Sequence, residues 1–276
     1  MDDVILNLED LARADIKKSF FYVFFSQGEI SLPYLEKIFE NGGKVISPNT
    51  YYKVPAWINN KYCSDIYNKI ALKLKCQPKG EIQELSSIMQ AIDATKDLDG
   101  DYVEIGVFSG TSALVAIMYS NILGIKRNFY LLDTYSGFNY ENAKNSQDVK
   151  WFGTHMSWQG SSGKAAIKRI VDLTSDIADT VYPINFDCTE DLLPKEINRI
   201  AMANLDVDMY EATYRGLNIL APLIVKNGII TTEDPVSTHG LHGAYYALHK
   251  FLKTDLGRKF ISLRSESTYF LIKKAD

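Results

Sequence analysis

Three cysteines in 276 residues, Cys63, Cys76 and Cys188, are too few and too irregularly spaced for a disulfide framework or a thiolate metal site. Free thiols in a reducing compartment, and hence a cytoplasmic protein, are the expectation. Basic charge is also in short supply: 30 Lys and Arg stand against 34 Asp and Glu, a net charge of −4. Binding nucleic acid needs a clustered cationic surface to replace phosphate counterions, so a small-molecule partner is the better expectation. Long hydrophobic runs are missing. The most aromatic stretch, Phe20 to Phe25, falls far short of the roughly 20 apolar residues that span a bilayer, so no membrane partner is expected. The opening MDDVILNLED is acidic and lacks the basic start and apolar stretch of a secretory signal, so export is not expected. Internal repeats, low-complexity tracts and Pro/Gly-rich linkers are absent as well, and any boundary has to come from a change in periodicity.

What is present is an ordinary globular composition, 46% hydrophobic and 23% charged, long enough for one large α/β domain with an added segment. A change in periodicity falls near residue 98. Before it, Ile66, Ile70 and Leu72, then Ile82, Leu85, Ile88, Met89 and Ile92, recur at helical spacing, so residues 1–97 read as a mostly helical segment. Beyond it, β-rich runs at Tyr102 to Ile105, Phe129 to Leu132, Val181 to Ile184, Ile200 to Leu205 and Ile229 to Thr232 alternate with helical runs. Those helices are expected at 111–123, 164–173, 210–224 and 241–252. Such alternation implies a parallel sheet covered on both faces. The closing KFISLRSESTYFLIKK reads as two strands joined by a polar turn at Ser265 and Glu266, an antiparallel hairpin added to the sheet.

Three constellations carry chemistry. DYVEIGVFSGTS, residues 101–112, is a strand, a turn containing Gly106 and Gly110, and a helix opening at Thr111 and Ser112. Glycines let a ligand approach the backbone, and a helix amino terminus offers unpaired N–H groups. A plainer account makes Ser109 or Thr111 an N-cap. The spacing is not GxGxxG, so the dinucleotide fingerprint is missing. Asp133 ends the next strand in FYLLDTYSGF, where an acid can hold ribose hydroxyls.

The third constellation is ANLDVDMY at 203–210 with IITTEDP at 229–235. Asp206 and Asp208, two apart on a strand, should emerge together at its carboxyl end, where ligands of open α/β sheets bind. Glu233 and Asp234 sit at the same end of the expected neighbouring strand. Four anions in one crevice repel unless a cation cancels them, and a hard ion such as Mg²⁺ takes oxygen ligands of this type. Taken singly, Asp208 could be a helix cap and Asp234 the start of an Asp-Pro turn.

With these residues in view, the chain resembles the macrocin O-methyltransferase family, metal-dependent sugar O-methyltransferases of macrolide and aminocoumarin biosynthesis. VEIGVFSG, LLDTYSGF, EDLLP at 190–194, LDVDMYEAT at 205–213 and NGIITTEDP carry the likeness, over roughly residues 98–255. The resemblance implies a Rossmann-like class I methyltransferase with a mostly parallel seven-stranded sheet and a C-terminal antiparallel hairpin over residues 98–276. Residues 1–97 would then form an N-terminal lid or oligomerisation segment of a homo-oligomer. It further implies that Glu104, Gly106 and Asp133 contact S-adenosylmethionine, and Ser109, Gly110, Thr111, Ser112 and Ser136 in the same two motifs are expected to bind it with them. Asp206, Glu233 and Asp234 would ligate the metal, with Asp208 as general base. Glu233 stands where the family has Asp, Pro235 replaces an aromatic residue, and a glycine of the family pattern is missing near Phe186.

The implied reaction is metal-assisted transfer of a methyl group to one of two adjacent sugar hydroxyls. A catechol acceptor, or a non-catalytic cofactor-binding protein disabled at Glu233, are the alternatives. Tyr246 and Lys250, like Tyr140 and Lys144, have the Tyr-x-x-x-Lys spacing of short-chain dehydrogenases, a coincidence to be expected among 17 tyrosines. The stretch Asn139 to Gly160, with Trp151, His155 and Trp158, reads as a long loop that could serve as a lid. Tyr51, Tyr52 and Trp57 would cover the crevice or form dimer contacts, and His242 is a surface residue that could reach the site.

Overall fold

Residues 20–22, 41, 44–46, 61–75, 78, 82–138, 141–152, 163–178, 180–232, 242–265 and 268–274 are described by the structure, a computed structural model. In chain order the elements are β1 Phe20–Tyr22, β2 Lys44–Ile46, α1 Lys61–Leu74, α2 Ile82–Ala94, β3 Asp101–Ile105, α3 Thr111–Ile122, β4 Phe129–Asp133, α4 Glu141–Lys144 and α5 Gln147–Phe152. They continue with α6 Gly163–Thr174, β5 Val181–Asn185, β6 Ile200–Leu205, α7 Tyr210–Leu220, β7 Ile224–Thr232, α8 Gly243–Leu252, β8 Phe260–Ser265 and β9 Thr268–Lys273.

Seven of these strands form one sheet in the order β5-β4-β3-β6-β7-β9-β8. The first five run parallel, β9 pairs antiparallel with β7, and β8 with β9. The expected Rossmann-like methyltransferase sheet with its terminal reversed hairpin is thus observed. Alternating side chains divide between two cores, as the two-residue period of a strand requires. Tyr102, Met202, Ile229 and Phe270 pack with α1, α2 and α3, while Val103, Ala203, Ile230 and Leu271 pack with α7 and α8. Burial on both faces explains why these strands read as continuous apolar runs. Among the described residues, no helix is long and apolar enough to cross a membrane.

Several sequence expectations need adjustment. The helix expected over 210–224 stops at Leu220, and Ile224 already begins β7, paired with Ile200. Pro222, which has no N–H and cannot continue a helix, lies between them. The expected loop 139–160 contains α4 and α5, with 139, 140 and 153–160 outside the described residues. Within 1–97, β1 and β2 pair as a short parallel ribbon that helical periodicity did not announce. Leu72, placed on the apolar face of α1 by spacing, is 78% exposed. Ser265, expected in the polar turn, remains in β8, paired with Thr268, and Glu266 lies outside the described residues. Tyr51, Tyr52, Trp57, Tyr140, His155, Trp158 and the acids Glu233 and Asp234 lie outside the described residues. Cys63 and Cys188 are free, buried thiols, pushed up to about 11 and about 12 by desolvation.

Candidate active site

The strand order reverses between β3 and β6, since β4 and β5 follow β3 on one side and β7 follows β6 on the other. Crevices at the carboxyl ends of such a switch point are where open α/β sheets bind ligands. Gly106 and Asp206 lie at that point. The Asp206 N–H donates to the Ile105 carbonyl at 2.9 Å, and Gly106 adopts φ +89°. A Cβ on Gly106 would sit 1.8 Å from the Asp206 carbonyl oxygen, so only glycine lets the two strand ends approach this closely.

The turn that follows is shaped by Asp133 at the end of β4. Its Oδ2 accepts the N–H groups of Val107 and Phe108 at 2.6 and 3.0 Å, and its Oδ1 accepts the Tyr135 N–H at 2.6 Å. Asp133 therefore holds the β3–α3 turn and its own following turn in place, and a carboxylate retains further acceptor capacity beyond these three bonds. Phe108 and Tyr135 both take left-handed φ, +46° and +53°, which the carboxylate bonds hold against steric preference. Gly110, at φ +85°, is the N-cap of α3 and gives no side-chain cap, so neither Ser109 nor Thr111 occupies that position. Their hydroxyls instead lie 3.0 Å from each other. Ser136 is exposed beside this turn, its N–H directed to the Thr134 hydroxyl at 3.4 Å.

Glu104 lies beneath the turn with no accessible surface. Its carboxylate accepts the Ser112 hydroxyl on one oxygen and the Tyr102 hydroxyl, at 2.6 Å, on the other. Desolvation raises its pKa from 4.5 to about 7, against the lowering effect of these two hydroxyls. In this arrangement Glu104 holds Ser112, at the start of α3, and has no accessible face of its own.

On the other side of the switch point, β6 ends at Leu205, so Asp206, Val207 and Asp208 lie beyond the strand. The alternation that would align Asp206 with Asp208 does not extend to them. The backbone instead folds over at Asp208, with φ +61° and the Met209 N–H donating to the Val207 carbonyl at 2.6 Å. That three-residue bond around a positive φ is γ-turn geometry, costly for a side chain larger than glycine and concentrated at functional sites. Both Asp206 and Asp208 are half-buried. The capping account of Asp208 gains no support: Met209 is the N-cap of α7, and the Tyr210 N–H is taken by Asp148. Leu205 pairs with Thr232, so Asp206 and Glu233 each follow a residue of one paired rung. Among the described residues no three His, Cys, Asp or Glu gather into a metal-holding group, and a site built on Asp206 would need the acids that follow Thr232.

Sequence reasoning missed Asp148. It is fully buried and accepts the Tyr210 N–H on Oδ2 and the Gly243 N–H on Oδ1, both at 2.9 Å. Its partners lie 62 and 95 residues away along the chain, beyond any local signal. Tyr210 and Lys250 form another junction: the ammonium donates to the Tyr210 hydroxyl at 2.9 Å and lies 4.6 Å from the Tyr214 ring centroid. Lys250 is thereby engaged with α7 and not with Tyr246, as a dehydrogenase pair would require. His242 is exposed and is the N-cap of α8.

A mostly parallel seven-stranded sheet with a reversed terminal hairpin, and a glycine turn facing an acid at its switch point, defines a class I methyltransferase. The chain belongs to the macrocin O-methyltransferase family, whose model matches residues 78–255. It is thus an S-adenosylmethionine-dependent O-methyltransferase. Among solved structures it resembles the O-methyltransferase NovP, with a TM-score of 0.59 and 15% identity over 80% of this chain and 97% of that one. It also resembles the calicheamicin methyltransferase CalS11, with a TM-score of 0.55 and 18% identity over 77% of this chain and 93% of that one. An apo structure of CalS11, described as a TDP-rhamnose 3'-O-methyltransferase, gives a TM-score of 0.51 at 16% identity over 77% of this chain and 94% of that one. No curated protein matches the sequence.

Proposed function

We propose that this enzyme methylates a hydroxyl of a sugar or glycosylated small metabolite, and that a divalent cation such as Mg²⁺ takes part, held by Asp206, Glu233 and Asp234. What supports the reading is the Leu205–Thr232 pairing beside Gly106, because it sets the starts of two acidic segments next to the cofactor turn. The donor set is all carboxylate, which suits a hard cation. Gly106, Ser109, Gly110, Thr111, Ser112, Asp133 and Ser136 are assigned to the cofactor, with Glu104 holding Ser112 from beneath.

Methyl transfer from a sulfonium needs an oxygen nucleophile aligned behind the methyl group, and a neutral sugar hydroxyl is a poor one. The cation would supply charge that lowers the hydroxyl's pKa and orients it. Asp208, in its strained turn next to Asp206, receives the hydroxyl proton as the oxygen attacks. The proton moves to the Asp208 carboxylate, the O–CH₃ bond forms, and the S–CH₃ bond breaks to leave S-adenosylhomocysteine.

The acceptor panel for testing this should hold nucleotide-linked deoxysugars, since CalS11 is described as acting on TDP-rhamnose, together with glycosides and a catechol. Methylated product would be read by mass spectrometry with Mg²⁺ and with a chelator. Methylation of a sugar that stops on chelation is the expected result; transfer indifferent to chelator removes the cation, and transfer to the catechol alone removes the sugar. Asp208→Asn should lower turnover by about 10²-fold or more, the usual worth of a general base, with cofactor affinity retained. Unchanged turnover rejects that role.

A further inference from the structure

The short helix α5 contributes a buried carboxylate that the reaction scheme above does not use. Asp148 has no accessible surface, yet it carries an ionisable group whose removal from water is costly unless its oxygens are paired. The two bonds it makes are both to helix starts. One oxygen takes the first N–H of α7, the other the first N–H of α8. Neither helix has a cap of its own, because the N-cap residues Met209 and His242 make no side-chain cap bond. Helix amino termini carry partial positive charge, and two of them directed at one carboxylate offset its desolvation.

A second observation points the same way. At Gly243 an added Cβ would lie 2.2 and 2.3 Å from the two Asp148 oxygens, so the absence of a side chain there is what admits the carboxylate. The contact is returned from α7, where Glu211 Oε1 accepts the Gln147 N–H at 2.8 Å. Asn142, on α4, donates to the Thr189 hydroxyl and to Glu190 at 2.8 Å each. The helices α4 and α5 are thus fixed to the chain that follows β5, to α7 and to α8.

These starts bound the acid-bearing segments. Tyr210 follows Asp206–Met209 directly, and the stretch with Glu233 and Asp234 runs from Thr232, paired with Leu205, to the amino end of α8. We propose that Asp148 is a positioning residue of the acceptor side: one carboxylate clamps the starts of α7 and α8 and so fixes the chain that carries Asp206 and Asp208 where it enters α7. The clamp's effect on metal affinity rests on the cation reading above; the clamp itself does not.

Asp148→Asn keeps size but leaves a single acceptor oxygen, so it can serve only one of the two helix starts. The full chain, saturated with S-adenosylhomocysteine, would be titrated with Mn²⁺ by calorimetry, and amide exchange followed at Tyr210 and Gly243. Expected are cofactor-product affinity within about twofold of wild type, Mn²⁺ binding weakened about tenfold or more, as for loss of an outer-shell partner, and faster exchange at the helix-start amide that loses its acceptor. Gly243→Ala, which crowds the carboxylate from the opposite side, should reproduce the Mn²⁺ effect and carries the test if Asp148→Asn fails to fold. A variant with lowered melting temperature but wild-type Mn²⁺ affinity has lost only stability, and the proposal is overturned. If wild type itself binds no Mn²⁺, the cation reading fails, and the clamp is judged on exchange: acceleration at either helix-start amide upholds it, while acceleration at neither overturns it.

Discussion

Burial of Glu104 ties a single residue to the pH dependence of the whole fold. Desolvation lifts its carboxyl from 4.5 to about 7, so between those values the folded state holds a proton that the unfolded state has released. Stability from this group therefore falls as pH rises through that window, and the penalty is absent below it and complete above it. At about 1.4 kcal/mol per pKa unit, the full difference is about 3 kcal/mol. Glu104→Gln cannot titrate, so its unfolding free energy should lack that fall. Its hydroxyl bonds to Ser112 and Tyr102 change by an amount that does not vary with pH. Urea unfolding of both proteins at about pH 5 and about pH 8 measures the difference, and parallel pH slopes would sink the assignment. The residue scale is also where sequence reading fell short. Glu104 was legible as part of VEIGVFSG, but its burial depends on Tyr102 and Ser112 folding over it. Asp208 was legible as an acid at a strand end, whereas its left-handed backbone was not, because the strand stops at Leu205 and the alternation ends with it.

Between elements, the chain ends of β3 and β6 meet closely at Gly106. Gly106→Ala would place a methyl group 1.8 Å from the Asp206 carbonyl oxygen at a φ of +89°. Both obstacles are backbone, so no side-chain rotation relieves them. The expected cost is about 2–3 kcal/mol or more, with weakened binding of S-adenosylhomocysteine because the turn that follows shifts. Thermal unfolding and calorimetry check this, and a wild-type profile in both would show that the strand ends are not held so tightly. Elements were otherwise the most legible level. The runs 102–105, 129–132 and 200–205 became strands, and 111–123 became a helix ending at Ile122, because short continuous apolar runs buried on both faces alternate with a longer apolar stretch buried almost all round. The start of β7 was misassigned to a helix since Leu223, Ile224 and Val225 continue an apolar pattern across Pro222, and only pairing with Ile200 decides it. The helices α4 and α5 were hidden in a polar stretch whose order comes from Glu211, Thr189 and Glu190 at distant positions.

At the scale of the molecule, the change of periodicity near residue 98 invites a cut there, and the cores argue against it. Leu85, Ile88, Met89 and Ile92 of α2 are at most 5% exposed and share one cluster with Tyr102, Met202, Ile229, Phe270 and Ile272 of the sheet. The family match likewise begins ahead of that point, at residue 78. Burying a large aliphatic side chain is worth about 1.5–3 kcal/mol, so four of them on α2 contribute roughly 6–12 kcal/mol. Whole domains are stable by only about 5–15 kcal/mol, which makes the loss of that helix comparable to the entire margin. A chain starting at residue 98 should therefore lack a cooperative thermal transition and bind a dye that reports exposed apolar surface, although it retains every strand of the seven-stranded sheet. The full chain under the same conditions should show a cooperative transition and little dye binding. If the shortened chain unfolds cooperatively near the temperature of the full one, then α2 is an appendage and the sheet closes its own face by another route.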